Sequence, residues 1–116
     1  MLPVEYLLAW IDVAPKTRAR RLARSIGAPL PKVGQLHAAM LLRYQEYGVN
    51  GVFGSSFLSG TIRGHLSSWL RGKLSQAKAW AGNDDPAVRS FGGGLIPDIE
   101  AQLAQAEADE AEERFE

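Results

Sequence analysis

The 116-residue chain contains no cysteine, which excludes disulfide staples, a cysteine-rich zinc module and a thiol nucleophile, and leaves the redox compartment open. Histidine is scarce too: His37 and His65 are the two present, and neither has a second histidine or a carboxylate at the three- or four-residue spacing of a helical metal site. No metal and no cofactor are expected. No apolar run approaches the roughly 18 residues of a membrane span. The start MLPVEYLLAW lacks the basic leader and small-residue cleavage site of a signal peptide, so the expectation is a cytoplasmic protein without membrane contact. The serine-rich stretch Gly54-Ser55-Ser56-Phe57-Leu58-Ser59-Gly60 has neither nucleophile-elbow spacing nor the lysine of a phosphate-binding loop. Nothing in the chain reads as an enzyme.

An excess of one charge is missing only in the total. Residues 1–89 hold 12 of the 13 basic side chains and 5 of the 13 acidic ones, a balance of +7, whereas residues 90–116 hold Arg114 against eight acids, a balance of −7. Such segregation makes the molecule an electrical dipole with a positive face for one partner. The alternative is that the two ends pair, within one chain or across a homo-oligomer.

What is present is a helical pattern, with 46% hydrophobic residues and no run of alternating β-branched side chains between turn signals. The expected fold is all-α, with about five helices as stacked antiparallel pairs or a small bundle. Proline and glycine place those helices near 4–12, 15–26, 32–47, 62–81 and 86–106. Residues 1–106 form a single helical domain in this reading. Thr61 is the expected cap of the fourth helix, and the Gly/Ser-rich residues 48–60 the longest loop. Gly92-Gly93-Gly94 and Pro97 predict a kink or break at 92–97, since a mid-helix glycine costs about 1 kcal/mol and a proline about 3 kcal/mol. Residues 107–116 read as an acidic tail that frays.

The run Trp80-Ala81-Gly82-Asn83-Asp84-Asp85-Pro86-Ala87-Val88-Arg89 resembles the inter-helix corner of a HEAT-type repeat: Asp85 caps, Pro86 opens the next helix, Val88 points inward and Arg89 reaches back to the turn. A looser version stands at LLAWIDVAPKTRARRLA. The resemblance implies stacked helix pairs, part of a longer solenoid or its end, that bind a protein partner. The face offered to that partner is basic: Lys16, Arg18, Arg20, Arg21 and Arg24.

Two other readings compete with this one. Residues 19–38 resemble the helix-turn-helix of bacterial repressors, with Gly27 at the turn; Lys32, Gln35 and His37 would then read the major groove and the arginines would hold phosphates of nucleic acid. The last helix could instead belong to a small antitoxin-like or immunity protein, engaging a basic target through Glu107, Asp109, Glu110, Glu112 and Glu113.

Overall fold

A computed structural model describes residues 3–29, 32–59, 62 and 64–114. Six α-helices follow one another: α1 Val4–Val13, α2 Pro15–Ile26, α3 Gln35–Arg43, α4 Val49–Phe57, α5 Leu66–Ala81 and α6 Pro86–Arg114, with a 3-10 turn Gln45–Tyr47 between α3 and α4. No strand occurs among the described residues, and the all-α expectation holds with one helix more than the five read from sequence. The molecule is elongated, 57 × 26 × 25 Å, because α6 alone runs 29 residues.

The extra helix is the expected loop. Val49, Phe53 and Phe57, four residues apart, put one buried face on α4. Each internal glycine costs a helix about 1 kcal/mol, but burying a Val or Phe side chain returns roughly 1.5–3 kcal/mol, so three buried side chains outweigh Gly51 and Gly54. Gly54 also lets α4 approach α6: a Cβ there would stand 3.1 Å from Leu95 Cδ2.

The expected break at 92–97 is likewise absent, since α6 is continuous through Gly92 and Pro97. Gly92 lies tight against α5, and a Cβ on it would fall 2.6 Å from Trp80 Cβ and 2.7 Å from both the Ala77 carbonyl oxygen and the Ala81 nitrogen. Here glycine is the condition for the helix pair rather than an interruption. Pro97 lies exposed, so the backbone bond it cannot donate is lost on the solvent side, where water substitutes.

Three boundaries also move. α3 starts at Gln35 rather than 32 and leaves helical geometry at Tyr44 (φ −122°, ψ 23°), whose hydroxyl donates to Asp12 Oδ1 at 2.7 Å and so ties α3 to α1. Burial first, and then that hydrogen bond, push the Tyr44 phenol up to about 12. α5 starts at Leu66 rather than 62, after a left-handed Gly64 (φ 77°). Thr61 lies outside the described residues, and one orphan amide of α5, that of Ser67, is met from another helix. Ser67 N–H donates to Glu110 Oε1 at 3.2 Å and Ser67 Oγ–H to Oε2 at 2.6 Å, with Arg71 on Glu107 at 2.8 Å one turn away. That clasp carries α6 in helical form to Arg114, where the sequence suggested a fraying tail.

The Asp85 corner joins α5 to α6. Asp85 Oδ1 accepts from Ala87 N–H at 2.9 Å, Val88 is buried, and Arg89 donates back to the carbonyls of Asn83 and Asp84 at 3.1 and 3.2 Å. Around the crossing, Trp80 packs on Phe91 and Phe57 with ring centroids 5.4 and 4.7 Å apart, and Phe53 meets Phe91 edge-on at 6.4 Å. One aromatic cluster therefore holds α4, α5 and α6 together.

Two predictions follow from these contacts. Gly92→Ala should destabilise by about 1–3 kcal/mol through overpacking, while Gly93→Ala, whose Cβ meets nothing within 4 Å, should stabilise by up to about 1 kcal/mol; chemical denaturation compares the two. The Ser67 hydroxyl and amide, helped by His65 and Arg71, hold the Glu110 carboxyl below the ordinary glutamate range against a smaller opposing effect of burial. Its contribution to stability is complete above the unfolded pKa and is lost as pH falls through the lower folded value. Melting curves of wild type and Glu110→Gln should accordingly differ at neutral pH and converge as the pH falls through the lowered range of that carboxyl.

A basic cleft as the candidate interaction site

α2 opens on Pro15, in the first turn where a missing N–H costs nothing, and buries Ala19 and Ala23. Small residues on that face bring the helix down close, which leaves the long basic side chains standing on the other. Lys16, Arg20, Arg21 and Arg24 are exposed, and among the described residues none of them has a carboxylate partner. Arg18 behaves differently: its guanidinium donates to the Trp10 carbonyl at 2.8 Å and lies 4.8 Å from the Trp10 ring, so it pins α2 to α1.

Arg20 and Arg24, one turn apart, wall an open cleft of about 620 Å³ whose opposite side is α4. The α4 side offers Gly48, Gly51, Ser55 and Ser59, small groups that leave the arginines unobstructed. Ser56 fixes the geometry from below: its hydroxyl oxygen accepts the Ala28 N–H at 3.1 Å and so anchors the turn after α2 to α4. Gly27 in that turn has φ 71° and ψ −172°, a combination restricted to glycine. Arg24 also borders a second opening of about 640 Å³ on the far flank of α2, with Thr17 and Arg21.

No family model, curated protein or solved structure matches this chain. Its geometry therefore carries the functional argument alone.

The residues expected to read a DNA groove do not come together. Lys32 lies in the connection before α3, and residues 27–34 separate the two helices where a helix-turn-helix has a turn of about three or four residues. Gln35 is exposed at the start of α3, but His37 turns inward: its ring packs 5.0 Å from Phe53 and Nε2 donates to the Gly27 carbonyl at 2.9 Å. The acidic set is divided as well. Glu107 and Glu110 are committed to α5, Asp109 accepts from Gln105 at 2.9 Å, and Glu112 and Glu113 remain exposed. None of the ion pairs among the described residues joins α6 to the stripe on α2, so no direct pairing with the acidic end covers the basic face. Nor do those residues place three or more His, Asp or Glu side chains to hold a metal, or form a helix long and apolar enough to cross a membrane.

Lys73 is a residue that the sequence did not single out. Trp69 is half-buried, and the Lys73 ammonium lies 5.3 Å from its ring and 4.3 Å from that of Phe57. Burial pushes this amine below its ordinary range. The available signal was the four-residue spacing of Trp69 and Lys73 on one helix; the contribution of Phe57 needed the fold. Ser56→Ala leaves the Ala28 amide without its acceptor and should cost about 1–3 kcal/mol in urea unfolding, whereas the exposed Ser55→Ala should be near neutral.

Proposed function

We propose that this chain is a non-enzymatic helical interaction module that docks an acidic segment of a protein partner along α2. The observation that carries the proposal is the unneutralised stripe of Lys16, Arg20 and Arg24 beside the cleft, in a chain that has as many acids as bases. Arginine suits the task, because its planar fork binds carboxylates in two parallel hydrogen bonds. The acidic end of α6, held on α5 by Glu107 and Glu110, leaves the stripe free for the partner.

The module is built like a HEAT-type unit. The capped Asp85-Pro86 corner and the packed α5–α6 pair support that reading, as does the apolar face of α1, where Tyr6 and Val13 are 68% and 74% exposed. A neighbouring repeat of a longer solenoid would cover those side chains. The half-buried, hydrogen-bonded His37 weighs against groove reading of DNA, and the commitment of Glu107 and Glu110 to α5 weighs against an acidic-helix inhibitor.

Fluorescence anisotropy with a labelled glutamate-rich peptide tests the proposal. The wild-type chain should bind, the affinity should fall with added salt, and the double variant Arg20→Glu with Arg24→Glu should weaken binding by about tenfold or more. Absence of binding at low salt, or binding that ignores the double variant, overturns the reading. Tighter binding to duplex DNA than to the peptide would replace it with the nucleic-acid alternative.

A further inference from the structure

Adjoining the arginine cleft at Ser56 lies a second opening of about 560 Å³, walled by the C-terminal end of α4, the turn after α2 and α5. Its walls are chiefly apolar: Pro29 and Phe57 are buried, Trp69 is half-buried, and Gly72 leaves the α5 side open, with nothing within 4 Å of where a Cβ would stand. One cation borders it. The Lys73 ammonium rests against the Phe57 and Trp69 rings and has no carboxylate partner among the described residues. The two clefts meet at Ser56, which lines both. A peptide crossing the turn that Ser56 anchors would pass from the arginines to the aromatic slot.

We infer that this second cleft seats an apolar side chain of the same acidic partner segment, with a carboxylate of that segment placed on Lys73. The inference rests on the docking reading above and adds its anchor. Charge alone supplies encounter and orientation, while an apolar side chain leaving water for an aromatic slot supplies persistence. Phe57 and Trp69 provide the slot, and a cation at its rim rejects a basic neighbour and accepts an acidic one. An acidic segment without an apolar residue fills the arginine cleft and leaves the slot solvated.

The test uses the full chain and two labelled peptides, both glutamate-rich and identical except for one central residue, Phe or Ala. Wild type should prefer the Phe peptide by about tenfold, as expected for burying one large side chain. Gly72→Phe, which introduces a ring where the backbone borders the slot without touching the core, should reduce that preference to less than about twofold, and Lys73→Met should weaken the Phe peptide more than the Ala peptide. Arg20→Glu with Arg24→Glu should weaken both peptides alike. Equal affinity of wild type for the two peptides overturns the anchor and leaves the arginine docking site intact. A Phe preference that survives in Gly72→Phe also overturns it, because the side chain then sits elsewhere. Failure of both peptides to bind overturns the anchor and the docking reading together.

Discussion

The close crossing of α5 and α6 at Gly92 is the constraint on which the rest of the structure depends. Without a Cβ at that point, the α6 backbone lies against Ala77, Trp80 and Ala81, and the Trp80 ring is buried with Phe91 beside it. That pair presents a fixed aromatic surface to the rest of the chain. α4 packs on it through Phe53 and Phe57, and α3 joins through His37 on Phe53. Both clefts then flank α4: one lies between it and α2, the helix it packs on most extensively, and the other between its C-terminal end and α5.

The same crossing explains where the sequence was legible and where it was not. α1 and α2 could be read almost to the residue because their signals are local: a proline at the start, Pro3 just before α1 and Pro15 in the first turn of α2, apolar residues at helical spacing and, for α2, Gly27 at its end. α4 and the middle of α6 could not. Their glycines lower local helix propensity, and the compensation comes from residues far along the chain, Leu95 opposite Gly54 and Trp80 opposite Gly92. Propensity is a statement about one residue and its own helix. Close packing is a statement about two helices, and only the fold brings the second one into view. The cap of α5 follows the same logic, since Glu110 stands 43 residues from the Ser67 it serves.

Charge shows a similar division between what was visible and what was not. The four-residue spacing of Lys16, Arg20 and Arg24 is plain in the sequence, and so is the acidic composition after residue 90. Whether the one neutralises the other depends on where α6 folds back, which composition does not encode. α6 folds back on α5, and the two glutamates that anchor it are spent on the Ser67 amide and hydroxyl and on Arg71. For His37, read in one alternative as a groove-reading residue, the fold gives a half-buried ring whose Nε2–H on the Gly27 carbonyl clips that turn.

The zero net charge is therefore compatible with an anion-seeking surface, provided that the acids are held away from it. Held loosely, the eight acidic side chains after residue 90 would be a tethered competitor for the stripe on α2, at an effective concentration no partner in solution matches. A rigid helix removes that competition. A 29-residue α6, continuous because Gly92 fits the crossing and fastened at its far end by Glu107 and Glu110, cannot swing its carboxylates back to Arg20 and Arg24 without breaking its own clasp. The glycine that looked like a break in the helix is thus the residue that keeps the basic face open.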